Sequence, residues 1–310
     1  MDKDRPCVCI TGPTASGKTR LAIQLAEEFP IEIISMDSAM VYRGMDIGTA
    51  KPSKSVRKRV PHHLIDIVEP TETYSAGKFS GDARDVLEDI CRRGRIPLLV
   101  GGTLLYLRSI RDGLAELPEA DPQLRQRLDE EAEAVGWAAL HKRLRGVDPD
   151  AAERISPTDR QRIQRALEVH ELTGQSLTSL HNSQNAQAGM PVLPLALVPE
   201  DRVELAERVE RRFDSMVAMG LVEEVEVLRA RGDLRLTTPA MRAVGYRQVW
   251  SFLDGAYGWE EARMKAIVAT RQLAKRQMTW LRSESQIKTL SAQGNKLLEE
   301  VRNALHAIVD

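Results

Sequence analysis

No stretch of the sequence approaches the ~18 consecutive apolar residues that a bilayer-spanning helix needs. The opening "MDKDRPCVCI" mixes both charges before a brief apolar run, so neither a membrane span nor a signal peptide is expected. Cysteine is scarce and odd in number: Cys7, Cys9 and Cys91 are the three among 310 residues. Cys7 and Cys9 alternate along a strand-like run and read as small buried residues rather than as a disulfide or metal pair. The compartment expected is reducing and cytoplasmic. A dominant charge is also missing, since 44 basic against 45 acidic residues leave a net charge of −1. Any nucleic-acid surface must therefore come from local clusters. Internal repeats and low-complexity segments are absent. What is left is ordinary globular composition, 42% hydrophobic and 29% charged, in a chain long enough for one large domain or two modest ones.

What is present begins with "GPTASGKT", Gly12, Pro13, Thr14, Ala15, Ser16, Gly17, Lys18 and Thr19, which fits the phosphate-binding pattern G-x-x-x-x-G-K-T in full. In such a loop the glycines turn N–H groups toward an anion, Lys18 adds a point charge, and Thr19 can ligate Mg2+. A strand-like run precedes it. A helical pattern follows, with Leu21, Leu25 and Phe29 on one face, and a helix N-terminus itself favours anions. The pattern does not say whose phosphate is held.

"IEIISMDS" reads as a second strand and "IPLLVGGT" as a third, the latter continuously apolar as expected when both faces are covered. "AGKFSGDARDVLEDICRRG" suits a helix ending near Gly94. Strands alternating with helices predict an α/β P-loop core with a parallel sheet, whose loops at Gly12–Thr19, Asp37–Ser38 and Gly101–Thr103 meet at one site. From about Leu117 the character becomes helical and charged, with Ser156-Pro157-Thr158-Asp159 resembling a capping box. "SLHNSQNAQAGMP" is loop-like, and "VLPLALV" restores a strand. The expected organisation is a core of residues 1–117 and 191–285 that includes a basic helical part, an all-helical insertion at 118–190, and a C-terminal helix within 286–310 that packs on the core.

Asp37 ends the second strand, beside the phosphate loop. One reading makes it a turn cap for "SAMVYRG"; the other makes it a general base for an acceptor nucleophile. After "LLV" comes Gly101-Gly102-Thr103, where many nucleoside triphosphatases carry an acidic residue for metal and water, and its absence counts against ATP hydrolysis. Between Ala262 and Ser283 stand Arg263, Lys265, Arg271, Lys275, Arg276 and Arg282 with no acidic residue among them. That run is either a solvated face or a surface that tracks phosphates, and Trp280 within it reads as a core anchor. Arg160, Arg162 and Arg165 form a second basic cluster. His62-His63 offers no third metal ligand, and adjacent residues of an extended segment point opposite ways, so these read as structural histidines.

Taken together, "GPTASGKT", "DSAMVYRGMDIGTAKP", "PHHLID", "GGTLLY", "DRQRIQRALEV", "RAVGYRQVW" and "AKRQMTWLR" closely resemble, in order and spacing, the bacterial tRNA dimethylallyltransferases, also called tRNA isopentenyltransferases. The resemblance runs from about Cys7 to Arg282. It implies a P-loop NTPase-like core with a helical insertion, and transfer of a dimethylallyl group from dimethylallyl diphosphate to N6 of the adenine 3′ of a tRNA anticodon. By position it implies that Gly12–Thr19 hold the donor's diphosphate rather than ATP, with Lys18 and Thr103 taking part in catalysis, Asp37 as base and Mg2+ on Thr19. The partner implied is the anticodon stem-loop. Its contacts would be Asp37, Ser38, Ala39, Met40, Thr103, Arg125, Gln161, Arg162, Ile163, Gln164, Arg165, Arg242, Ala243, Val244, Gly245, Tyr246, Arg247, Lys275, Arg276, Gln277, Met278, Thr279, Trp280, Leu281 and Arg282. Met40 departs from the Gln that many relatives carry, and a thioether cannot read a base edge as an amide does. A monomer is expected. The alternatives are a small-molecule kinase using ATP, a prenyltransferase acting on free adenosine phosphates, and a non-catalytic RNA-binding nucleotide switch.

Overall fold

The computed structural model describes residues 6–115, 117–183, 189–291 and 295–309. The chain divides into two compact units, one of residues 1–111 and 190–310 and the other of 112–189. Among the described residues the first unit holds one parallel sheet of six strands: β1 (Cys7–Thr11), β2 (Ile31–Ser35), β3 (His62–His63), β4 (Ile96–Val100), β5 (Val192–Val198) and β6 (Lys288–Ser291). Their order is β3-β2-β4-β1-β5-β6. Val8 is in register with Leu98 of β4 on one side and Leu193 of β5 on the other, which places β1 at the centre.

Every residue of β1, β2 and β4 is buried, because helices cover both faces. Val8 and Ile10 pack with Leu21, Ala22 and Leu25 of the helix Lys18–Ala26, and with Val301 and Leu305 of the helix Asn295–Val309. Cys7 and Cys9 face the opposite layer, against Phe79, Ala83 and Ile90 of Ala76–Arg92 and Leu107 and Ile110 of Leu104–Arg111. All three cysteines are free thiols. One charge lies inside this core. The Glu32 carboxylate is paired with Arg93, and it takes a hydrogen bond from Arg93 at 2.8 Å and shares one with His63 at 2.7 Å. Those bonds, Arg93's first, draw its pKa down to about 2 against the cost of burial. His63 is thus occupied, and His62 Nδ1 lies 2.7 Å from the Val60 carbonyl. No group of three or more His, Cys, Asp or Glu among the described residues could hold a metal ion.

A further core lies beyond the carboxyl ends of the strands. Val41, Tyr42 and Met45, in the loop after β2, pack against Phe213 and Met216 of Arg202–Ala218, Leu221 and Val225 of Leu221–Ala230, Trp250 of Tyr246–Leu253, and Ala266 of Trp259–Ser283. The Glu224 carboxylate accepts the amides of Asp46, Ile47 and Gly48 at 2.9, 2.7 and 3.1 Å, and the Tyr246 hydroxyl at 2.5 Å. The loop is therefore fixed although it has no regular secondary structure.

Among its described residues the second unit has only helices as regular elements, Pro122–Val135, Trp137–Val147, Pro149–Arg154, Arg160–Thr173 and Leu177–Asn182, around Leu124, Leu128, Leu140, Leu144, Ile163 and Leu167. At its centre the fully buried Glu168 takes hydrogen bonds from Arg125 at 2.8 and 3.0 Å, from Arg165 at 2.6 Å and from the Asp121 amide at 2.9 Å.

Several expectations need correction. "IPLLV" is the fourth strand, because the two-residue β3 precedes it, and Lys288–Ser291 forms a sixth strand where only a helix was expected. The helix Lys18–Ala26 ends before Phe29. Ser156 does not cap the next helix: its hydroxyl accepts the Thr158 amide at 3.3 Å in a turn, and Asp159 caps instead, accepting the Arg162 amide at 3.2 Å. The loop read from Ser179 starts inside a helix, which Ser176 caps by accepting the Ser179 amide at 3.0 Å. Its residues 184–188 lie outside the described residues.

Candidate functional site

The three polar loops after β1, β2 and β4 meet. Gly101 donates its amide to Ile10 at 3.1 Å, Met36 donates to Val100 at 2.8 Å, and Thr103 donates to Met36 at 3.2 Å. Such closeness has a steric condition. A Cβ on Gly101 would lie 2.1 Å from the Met36 carbonyl oxygen, and one on Gly12, whose φ is +144°, would lie 2.4 Å from that of Leu197. Only glycine fits at these two points.

Gly17, at φ +93°, begins the helix Lys18–Ala26 without any side-chain cap. The amides of Lys18 and Thr19 open that helix and have no partner within it, so the loop presents donors to an incoming anion. Lys18 is folded onto the loop, donating to the Pro13 carbonyl at 2.6 Å and to the Ser16 hydroxyl at 3.4 Å. Desolvation pushes its pKa down to about 7; the Arg212 guanidinium adds to that and the Asp37 carboxylate opposes it. Arg212 comes from the helix Arg202–Ala218 and donates to the Thr49 carbonyl at 3.5 Å. Its own pKa is lowered by desolvation, with Asp37 again opposing. Sequence reasoning missed Arg212, because "ERVERRFD" gives no sign of which arginine the fold turns toward the phosphate loop.

Asp37 is half-buried, and its Oδ1 accepts the Ala39 amide at 2.9 Å and the Met40 amide at 3.3 Å. The turn-cap reading is therefore correct for one oxygen, while Oδ2 accepts no hydrogen bond among the described residues. Thr103 Oγ1 accepts the Ser38 amide at 3.1 Å and donates to the Ser38 hydroxyl at 3.4 Å, which ties the end of β4 to the residue beside the carboxylate. Met40 is half-buried, and its Sδ accepts from the Ser35 hydroxyl at 3.8 Å, turning back toward β2.

The basic run on Trp259–Ser283 divides in two. Arg263 pairs with Asp214 and Glu210, Lys265 with Glu261, and Arg271 with Glu210, at 2.7 to 3.3 Å. Lys275, Arg276 and Arg282 are exposed, with no carboxylate partner among the described residues, and Thr279 is exposed between them. Half-buried Trp280 packs against the sheet core. Arg242 and Arg247 are also exposed, flanking Ala243, Val244 and Gly245. In the helical unit Gln161 and Arg162 are exposed, whereas Gln164 donates to Asp129 at 2.7 Å and Arg125 and Arg165 are committed to Glu168. Of the expected contacts, the side chains of Ile163, Tyr246 and Leu281 are buried in apolar cores. Gln277 turns inward to the phosphate loop, and Met278 is half-buried.

The donor set suits a hard divalent cation. The Thr19 hydroxyl is an oxygen ligand, and Mg2+ is commonly held by few protein oxygens together with substrate phosphates and water. No helix among the described residues is long and apolar enough to cross a membrane.

The comparisons agree with this geometry. The sequence pattern of the IPP transferase family matches residues 40–284, and that of isopentenyl transferases matches residues 7–64. The chain is 58% identical to a tRNA dimethylallyltransferase of Alkalilimnicola ehrlichii, covering 90% of this chain and 88% of that one. It is 54% identical to another from Thioalkalivibrio sulfidiphilus, over 93% and 90% of the two chains. Among solved structures, it resembles the full-length tRNA isopentenylpyrophosphate transferase of Bacillus halodurans, with a TM-score of 0.71, 36% identity and coverage of 98% and 97%. It also resembles a eukaryotic dimethylallyltransferase acting on tRNA, with a TM-score of 0.80, 27% identity and coverage of 98% and 78%.

Proposed function

The chain belongs to the IPP transferase family and is a prenyltransferase that modifies tRNA, and on that premise we propose how its own residues carry out the transfer. The donor is dimethylallyl diphosphate, held by the amides of the phosphate loop, Lys18 and Arg212. The acceptor is N6 of the adenine 3′ of the anticodon. That amine is a poor nucleophile because its lone pair is delocalised into the ring. As the N–C bond forms and the C–O bond to diphosphate breaks, Asp37 Oδ2 takes the proton from nitrogen and the diphosphate leaves with its charge matched by the loop. Thr19 would hold Mg2+, and the cation would neutralise part of the leaving group's charge. Nothing phosphorylated is transferred.

The observation that carries this assignment is the pairing of an uncapped helix N-terminus and two cations with a half-open carboxylate, at the end of a sheet whose β4 leads into Gly-Gly-Thr rather than an acidic residue. A γ-phosphate transfer would leave the unpaired Lys275, Arg276 and Arg282 without a role. These cations, with Arg242 and Arg247, suit the phosphates of an anticodon stem-loop, whose target base must be unstacked to reach the donor. The acceptor defines the compartment as the cytoplasm, in keeping with three free thiols, and each step needs only one copy of the chain, which acts as a monomer.

Incubation with labelled dimethylallyl diphosphate and unmodified tRNA tests the assignment: label enters tRNA without ATP. An absolute ATP requirement would overturn it in favour of a kinase, and preference for AMP over tRNA would replace the acceptor.

A further inference from the structure

One side chain ties the phosphate loop to the segment after β4. Gln277 lies on the inward face of Trp259–Ser283, near the buried Ala274 and Leu281. Its Oε1 accepts the Thr14 amide at 2.9 Å, and its Nε2 donates to the Gly102 carbonyl at 2.9 Å. Thr14 belongs to the phosphate loop. Gly102 precedes Thr103, whose hydroxyl holds Ser38 beside Asp37. A single amide thus sets the spacing between the donor loop and the end of β4, which steadies the base. It does so with both of its polar ends, so a neighbour that offered only a donor or only an acceptor could not replace it. The fit is close: a Cβ on Gly102 would lie 2.6 Å from Gln277 Nε2.

The same turns of helix show their other face to solvent as Lys275, Arg276, Thr279 and Arg282, the cations left unpaired in the run. Gln277 follows Arg276 directly, so a load on the outer face is carried by the backbone segment that holds the inner latch. Reacting atoms must be placed to within about an ångström for efficient transfer. An interaction that pins this segment therefore also pins the separation of the donor loop from the base.

We propose that Gln277 is a positioning residue that couples RNA on the outer face of this helix to donor grip and alignment on its inner face. The proposal rests on the reading of the chain as a tRNA prenyltransferase. By linkage the coupling is reciprocal, with RNA tightening the donor by the same factor as the donor tightens RNA.

The test is a binding cycle on the full chain with an unreactive thio-analogue of dimethylallyl diphosphate and an anticodon stem-loop, each titrated alone and in the presence of the other. The wild type is expected to show a coupling factor of about tenfold. In Gln277→Met, which keeps the volume and removes both polar ends, that factor falls toward one and kcat drops at least tenfold, while the melting temperature and the Kd for RNA alone change little. A wild-type factor of one overturns the proposal, as does an undiminished factor in Gln277→Met. A weakened RNA Kd with the factor intact also overturns it, making Gln277 an ordinary RNA contact. Should Gln277→Met not fold, Gln277→Glu decides: it keeps an acceptor for Thr14 but loses the donor to Gly102, and an unchanged factor there sinks the idea. Failure of the wild-type chain to prenylate tRNA at all would strike the functional reading instead, and is read from product formation, separately from the binding cycle.

Discussion

Each of the two units places a carboxylate among cations, and the two are treated differently. In the helical unit Glu168 is fully buried and both of its oxygens are filled, by Arg125, Arg165 and the Asp121 amide. Burial alone would raise its pKa, but those bonds win and hold it below the ordinary carboxylate value. In the sheet unit Asp37 is half-buried, spends one oxygen on two amides and keeps the other open, and its charge acts on those of Lys18 and Arg212. A saturated carboxylate holds a fold together; a half-saturated one keeps the capacity to take a proton.

The largest effect that would sharpen this contrast comes from Asp37→Asn. The amide oxygen can still cap the turn, so the melting temperature should hold while kcat falls by about 10²- to 10⁴-fold. A variant of near-normal rate would reduce Asp37 to the turn cap. Next comes Glu168→Ala. Removing one partner of a buried network strands the arginines and should cost the helical unit about 3–5 kcal/mol, seen as an earlier unfolding step. Binding of the donor analogue should be untouched; its loss along with that step would break the division of labour between the units. A third effect, of order tenfold or more in tRNA affinity, is expected for Lys275→Ala with Arg276→Ala, together with a salt slope shallower by about one for each cation removed. An unchanged slope would return that face to solvent. The smallest concerns Lys18. Its pKa of about 7 in the free protein must rise when a diphosphate arrives, because an anion favours the charged amine. Binding therefore takes up a proton, so donor affinity is full below pH 7 and declines above it, by at most tenfold per unit, up to the pKa of the complex. Calorimetry at pH 8 in two buffers of different ionisation enthalpy would detect that proton, and equal heats would exclude it.

Much of this site can be read from the sequence. The phosphate loop, the strands "CVCIT", "IEIIS" and "IPLLV", and Asp37 at a strand end follow from local pattern, since each depends on residues adjacent in the chain. Arg212 and Gln277 were not legible in their roles. The first is one arginine among several on a charged helix, and the second meets Thr14 from 263 residues away, so only the folded chain selects them. The two missed strands are short and carry polar residues, and three of the four in β6 are exposed, so neither shows the apolar run of the central sheet. The cap at Asp159 was misplaced because Ser156 and Asp159 both suit an N-cap, and geometry decides between them. The loop after β2 has no regular secondary structure, and Glu224 holds it through three amides and the Tyr246 hydroxyl, contacts from far along the chain that no local pattern shows.

The central place of β1 has a consequence for how the protein is made. Its partners Leu98 and Leu193 lie far along the chain, with the whole helical unit encoded between them. At ordinary synthesis rates of 5–20 residues per second, β1 waits about 10–40 s for β5 to leave the ribosome. Over that interval the helical unit, whose contacts are local, has time to fold, while one edge of the strand that carries the phosphate loop stays open. The first segment of the active site to be translated is thus among the last to be enclosed.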